Sequence, residues 1–360
     1  MGLSLLQAGR KQDAMPVFEK TYEAYLTALS GLKSQVRILT PEQMPRIAHG
    51  EHLTLHLSRG RVEMFAIDRI LNFNGSHLRR FPLLAALCKG AAKSIPDGVT
   101  AACIFDIGDG DESGDYHRFA MCAAKADATL LPDPYFFESN GYAELRALVA
   151  RSAKPWEERK PIVFWRGSAT GIRVGEPKTD SWEWLPRLAF CDKAKRIANS
   201  IHIDVAITQM AQIDEPRLRQ AIAAAGLTGG PIAKEHFLNY RFLVDADGNT
   251  GSWGWFDKLV MGATSVKISS GRGFHQWFST RLTPWTDFVP VATDLSDLDE
   301  IVGWLVAHPQ EAKAIAESGR RFAEEQTFER VMLEGAATFF SGIMQDRPMP
   351  LDHLSLSHRC

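Results

Sequence analysis

The chain has 360 residues, with 41 Lys and Arg against 43 Asp and Glu, and 45% of it is hydrophobic. That length accommodates two domains of roughly 100 to 200 residues each. A net charge of −2 argues against a partner held by bulk charge, since counterion-driven nucleic-acid binding needs a basic excess, although a local basic groove is still allowed.

No apolar run reaches the ~18 to 20 residues of a spanning helix, and Met1-Gly2-Leu3-Ser4-Leu5-Leu6-Gln7 lacks a basic n-region followed by a long h-region. The sequence therefore predicts a cytoplasmic protein with at most peripheral membrane association. Cys88, Cys103, Cys122, Cys191 and Cys360 are odd in number and widely spaced. They read as reduced thiols rather than a disulfide framework, and no CxxC or HxxxH offers metal spacing.

In chain order, Val17, Phe18, Tyr22, Tyr25, Leu26, Leu29 and Leu32 recur at helical spacing and predict a helix over Ala14–Leu32. Alternation through Leu53, Leu55, Leu57 and Val62, Met64, Ala66 around Arg59-Gly60 predicts a β-hairpin. Short apolar runs between helical stretches follow, the pattern of a parallel α/β sheet. Strands are expected at Thr100–Ile107, Ala128–Leu131, Pro161–Trp165, His202–Ile207, Arg241–Val244, Thr264–Ile268 and Phe288–Val291. Helices are expected at Tyr142–Ser152, Trp182–Asn199, Glu215–Ala225, Trp253–Met261, Leu298–Ala307, Glu311–Glu325 and Phe328–Met344. The polar stretch Arg151–Pro161 reads as a linker. It divides the chain into domains at 1–155 and 156–345, with a tail at 346–360, and leaves the last helix free to pack back on the first domain.

Three constellations have the composition of a site. Asp106-Ile107-Gly108-Asp109-Gly110-Asp111 follows a strand, where an α/β enzyme keeps a general base. Asp109-Gly110-Asp111-Glu112-Ser113-Gly114 opens like a calcium loop, but the twelfth position is Ala120 where a bidentate Glu is needed. Asp109-x-Asp111 also has the D-x-D form of a divalent-cation site, a spacing that Asp245-x-Asp247 repeats; an acidic solvated turn is the plain alternative. The second constellation, Phe164-Trp165-Arg166-Gly167-Ser168-Ala169-Thr170-Gly171-Ile172-Arg173, has the parts of a diphosphate cradle: close backbone approach, hydroxyl donors and guanidinium charge. It is equally open to Arg166 pairing with a carboxylate. In the third, a strand ends in Asp245-Ala246-Asp247-Gly248-Asn249, and Ser252 is placed to cap a helix from Trp253 whose free N–H groups would favour an anion. Trp253, Trp255 and Phe256 read as core packing, whereas the aromatic loop from Trp277-Phe278 to Trp285 suits a sugar or base pocket and suits a core equally well.

Taken together, Phe164-Trp165-Arg166-Gly167-Ser168, Tyr240 through Asn249, Lys258-Leu259, Trp277-Phe278, Leu282-Thr283-Pro284-Trp285 and Val289-Pro290-Val291 with Asp294-Leu295-Ser296-Asp297-Leu298 resemble glycosyltransferase family 90. That group contains the protein O-glucosyltransferases, the fungal capsule xylosyltransferases and bacterial lipopolysaccharide-type transferases, and the chain is similar to its bacterial type from Pro161 to about Phe322. The resemblance implies an α/β fold of GT-B type, two Rossmann-like domains facing across a cleft, here with an extra N-terminal helix and hairpin and a long C-terminal helix. It implies a UDP-sugar donor, a hydroxyl of a glycan or lipid-linked glycan as acceptor, inversion at the anomeric carbon, and no metal or other cofactor. By position the base resembles Asp109, with Asp106 and Asp111 as alternates. The donor residues by the same resemblance are Arg166, Gly167, Ser168, Thr170, Arg173, Ser252, Trp255 and Lys258, with Asp247, Asn249, Trp277 and Phe278 as a further sugar or base pocket. Where animal members carry an Arg, this chain has Trp255, with Lys258 one turn on. The competing readings are a metal-dependent transferase using Asp109 and Asp111, and a non-catalytic nucleotide-sugar-binding protein.

Overall fold

The computed structural model describes residues 6–7, 9–40, 43, 51–110, 116–124, 128–171, 181–182 and 184–345. Contacts divide the chain into two units, residues 1–137 with the segment from Glu329 onward, and Glu138–Phe328.

In the first unit, helix α1 (Lys11–Ser30) buries Ala14, Tyr22 and Leu26. It ends where Gly31, at φ +69°, turns left-handed and donates its N–H to the Thr27 carbonyl, a conformation that glycine adopts without a Cβ penalty. Strand β1 (Lys33–Leu39) follows, then the expected hairpin of β2 (His52–Ser58) and β3 (Arg61–Ile67), closed by the two-residue turn Arg59-Gly60. Helix α2 (Phe81–Ser94) leads to β4 (Ala101–Asp106), β5 (Arg118–Ala120) and β6 (Ala128–Leu130). The six strands form one mixed sheet in the order β1-β3-β2-β4-β5-β6. Strand β2 runs antiparallel to both neighbours, whereas β4, β5 and β6 are parallel. The C-terminal helix Phe328–Ile343 buries Val331, Phe339 and Ile343, and Phe339 meets Phe119 edge to face at 4.9 Å.

The second unit is a doubly wound sheet. Strands β7 (Lys160–Ser168), β8 (Ile203–Gln209), β9 (Tyr240–Ala246), β10 (Thr264–Ile268) and β11 (Val289–Val291) are all parallel, in the order β11-β10-β9-β7-β8. Both faces are covered by helices, which is why these strands read as continuous apolar runs rather than alternating ones. The stretch Arg151–Pro161, read from sequence as a linker, lies within this unit. Trp156 is buried in its core, and buried Arg159 donates Nη1 to the carbonyls of Met261 and Gly262 at 3.0 and 3.1 Å. Helix α3 (Ala143–Ser152) is fastened to the same unit, because Arg146 Nη2 donates to the Ala323 carbonyl at 2.7 Å and Tyr142 stacks on Phe256. Helix α4 runs over Pro186–Arg196 rather than the expected Trp182–Asn199, with Pro186 at its first turn setting the start. Among the described residues no helix is long and apolar enough to cross a membrane, and the tail 346–360 lies outside them.

Candidate active site

In a doubly wound sheet, ligands bind beyond the strand C-termini where the strand order reverses. In the second unit that point lies between β7 and β9, whose neighbours continue outward in opposite directions. The loops leaving β7, β9 and β10 there line a cavity of about 470 Å³. Gly171, Gly248, Ser270 and Arg272 are among its lining residues, with Trp184 and Pro186 on an apolar wall.

The organising side chain is Arg187, in the first turn of α4, which the sequence reading missed. Its Nε donates to the carbonyls of Ala246 and Asp247, both at 3.1 Å, its Nη2 to Ala246 at 2.7 Å, and its Nη1 to Ser168 O at 3.2 Å and Thr170 Oγ1 at 2.8 Å. One guanidinium thus staples the end of β7 to the end of β9. All these acceptors are neutral, so among the described residues the partly buried cation has no carboxylate bonded to it. Burial lowers its pKa, and the Asp245 and Asp247 carboxylates oppose that shift. Two glycines make room for the staple. A Cβ on Gly248 would stand 2.5 Å from Thr170 Oγ1 and 3.1 Å from Arg187 Cζ, and one on Gly171, whose φ is +130°, would meet Pro186.

Behind the cavity lies a buried charge network. Asp245 accepts Lys258 Nζ at 2.9 Å and Lys267 Nζ at 2.6 Å, and Lys267 also reaches Asp247 at 2.7 Å. Burial alone would raise the Asp245 pKa, but the two lysines outweigh it and hold the carboxyl far below its usual range. Lys267 is raised in turn, because Asp245 and Asp247 outweigh the cost of its own burial. A lone Lys inside the apolar strand Thr264–Ile268 is the sequence signal that could have disclosed it, since a buried ammonium needs a partner.

Of the residues expected to hold a donor, Asp247 lines this cavity. Ser168 and Thr170 frame it through Arg187, and Asn249 through its Oδ1, which accepts Gly171 N at 2.9 Å. Arg166 is turned to β8, donating to Asp204 Oδ1 at 2.7 Å, with its guanidinium 4.6 Å from the Phe164 ring centre. Gly167 is fitted to Trp165, whose indole would lie 2.4 Å from a Cβ there. Ser252 donates Oγ to Asp245 at 2.8 Å, and helix α5 (Trp255–Val260) begins at Trp255 instead of Trp253, capped at Gly254. Trp255 is buried, donates Nε1 to Ser265 Oγ at 3.0 Å and packs with Phe278 in an aromatic cluster that includes Phe256 and Trp277. Lys258 spends its charge on Asp245 and donates to the Gly254 carbonyl at 2.7 Å. Arg173 lies outside the described residues.

The first unit carries the acidic turn. Asp106 is buried at the end of β4, where its Oδ1 accepts Gly108 N at 2.7 Å and its Oδ2 faces His52 Nε2 at 4.0 Å. The Asp109 side chain is 46% exposed and paired with Arg80, which is buried and also donates to the Ile107 carbonyl. Gly110, at φ +110°, passes so close to the Cys122 carbonyl that a Cβ would stand 2.4 Å from its oxygen. Asp111 lies outside the described residues. Arg80, like Arg187 and Lys267, is a cation the sequence reading missed, because its partners are brought in by a different element.

Residues 142–333, more than half of the chain, match the family described as Glycosyl transferase family 90. The chain is 31% identical to protein O-glucosyltransferase 2 of Danio rerio over 184 residues, covering 50% of this chain and 32% of that one. It is 27% identical to protein O-glucosyltransferase 1 of Rattus norvegicus, covering 47% and 38%. These matches span about a third of the relatives' own length, 32% and 38%. A glycosyltransferase structure from Rickettsia africae aligns over 64% of both chains at 11% identity, with a TM-score of 0.37.

Proposed function

The chain belongs to glycosyltransferase family 90, and from that premise we propose that it moves a hexose or pentose from a UDP-sugar to a hydroxyl of a glycan acceptor, with inversion at the anomeric carbon and without a metal. The observation that carries this reading is Arg187, a partly buried cation whose acceptors among the described residues are all neutral, bonded to the strand and loop ends beside a cavity at the switch point of a parallel sheet. A cation so placed favours a ligand that brings its own negative charge, and a leaving diphosphate gains such charge as its bond to the sugar breaks. Ser168 and Thr170, fixed by Arg187, and Arg173 complete the proposed donor set.

Asp109, in the first unit, is the proposed general base. It takes the proton of the acceptor hydroxyl while that oxygen bonds to the anomeric carbon and the carbon–oxygen bond to UDP breaks. Its exposure leaves it open to a hydroxyl, whereas Asp106 is enclosed. The names of the relatives, O-glucosyltransferases, favour a hexosyl donor. We place the acceptor among cell-envelope polysaccharides, lipopolysaccharide and lipid-linked glycans, and the reaction in the cytoplasm at the inner face of the membrane. UDP release measured over a panel of UDP-sugars, with and without excess EDTA, tests the proposal. Turnover of one donor, unchanged by EDTA, is expected; activity abolished by EDTA would replace it with the metal-dependent reading, and UDP binding without turnover by a binding protein.

A further inference from the structure

Asp245-x-Asp247 has the spacing of a metal-binding D-x-D, and the donor reading above makes no use of it. We infer that it is a charge clamp that sets the two loops bordering the cavity, and that Asp247 and Lys267 are positioning residues for the donor. The inference rests on the donor-site reading for its ligand and on geometry for the clamp itself.

Residues two apart on a strand share a face, so both carboxylates lie on one side at the end of β9. Lys267 stands beside Asp245 in register on β10. Each of the four carboxylate oxygens is already engaged. Asp245 Oδ1 accepts Lys258 Nζ at 2.9 Å and Ser252 Oγ at 2.8 Å, and Oδ2 accepts Lys267 Nζ at 2.6 Å. Asp247 Oδ1 accepts Lys267 Nζ at 2.7 Å and Ser252 N at 3.1 Å, and Oδ2 accepts Ser270 N at 3.0 Å. Two anions meet two cations, so the motif is neutral as it stands, and a divalent ion would have to displace buried ammonium groups.

What the clamp does follows from its two backbone bonds. Ser252 belongs to the loop after β9 and Ser270 to the loop after β10, and Asp247 holds both amides on one carboxylate. A second tie lies farther out, where Arg272 Nη1 donates to the Asn249 carbonyl at 2.7 Å. Asp247, Gly248, Ser270 and Arg272 all line the cavity, so the separation of its two rims is set by the buried network. The Lys267 ammonium is covered by the Trp255 ring, 4.5 Å from its centre.

The test reads loop protection and ligand affinity separately. In the wild type, the amides of Ser252 and Ser270 should exchange hydrogen as slowly as strand amides; fast exchange at both overturns the clamp. Asp247→Asn keeps the size but loses one acceptor oxygen, so at least one of the two amides should exchange at least tenfold faster and UDP affinity should fall at least tenfold. If that variant does not fold, the double variant D247N/K267M, neutral again, is read in the same way. Unchanged protection, or unchanged UDP affinity beside lost protection, overturns the positioning role. So does Mn²⁺ alone binding the wild type at a site that D247N removes. If UDP fails to bind the wild type, the donor reading falls while the exchange result still judges the clamp.

Discussion

Arg187 donates twice to the carbonyl of Ala246, from Nε at 3.1 Å and Nη2 at 2.7 Å, and so ties the first turn of one helix to the last residue of the strand beside the topological switch. A lysine cannot repeat this, because an ammonium is a point charge without the planar fork. Arg187→Lys should keep the positive charge yet lose the staple, lowering UDP affinity about tenfold to a hundredfold, or roughly 1.4 to 2.8 kcal/mol. Calorimetric titration with UDP measures it, and wild-type affinity in the variant would remove Arg187 from the donor site.

Gly248→Ala is the complementary change. It adds one methyl where Thr170 Oγ1 and the Arg187 guanidinium already stand within 2.5 and 3.1 Å. Neither can retreat without giving up its bond to the other, so the substitution should weaken UDP binding at least as much as Arg187→Lys. The same change at Gly230, where a Cβ meets nothing within 4 Å, should leave affinity within twofold and serves as the control.

Asp109→Asn should abolish sugar transfer while leaving UDP affinity within about twofold, since the carboxylate is needed only to receive a proton. Retained turnover would dismiss it as the base. Arg80→Met removes the buried cation that fixes Asp109, and should lower kcat by a smaller factor than Asp109→Asn. A fall in kcat equal to that of Asp109→Asn would mean that Arg80 does more than orient it.

The contrast between the strands and the cations explains what the sequence disclosed. Thr264–Ile268 is predicted and observed with the same ends, because a strand buried on both faces writes its burial into consecutive residues. Arg118–Ala120 is invisible by the same logic, being three residues long with a buried Arg at its start. The Gly-rich loop after β7 is legible because glycine marks unusual backbone. Arg187 is not, and a Lys inside a strand marks only that Lys267 needs a partner, since each takes its meaning from acceptors on other elements: Ala246 is 59 positions from Arg187, and Asp245 is 22 from Lys267. The sequence reading left Arg166 open to a donor or to a carboxylate, and the carboxylate it meets, Asp204 on the next strand, stands 38 positions away.

The thiols offer a test of burial in both units. Desolvation pushes Cys88 and Cys191 up to about 12 and Cys103 well above its usual range, and only the thiolate attacks an alkylating agent. At pH 8 all three should resist iodoacetamide in the native protein and react within minutes in denaturant. Peptide mapping by mass spectrometry reads each site, and rapid native labelling at Cys191 would contradict the packing of α4.

The charge network also predicts a pH profile. Lys258 and Lys267 depress the Asp245 pKa against the opposing effect of burial, so its contribution to stability is complete above the unfolded value of about 3.9 and is lost as pH falls toward the depressed one. Lys267 is raised by Asp245 and Asp247 against its own desolvation, so its contribution is complete below about 10.4 and is lost as pH rises through the higher folded value. The stability difference between wild type and Asp245→Asn should therefore be level from about pH 5 to pH 9 and shrink below about pH 4. Urea unfolding at pH 3, 5, 7 and 9 measures it. A difference that grows toward acid would mean that Asp245 is protonated in the folded protein, and that the two lysines do not outweigh its burial.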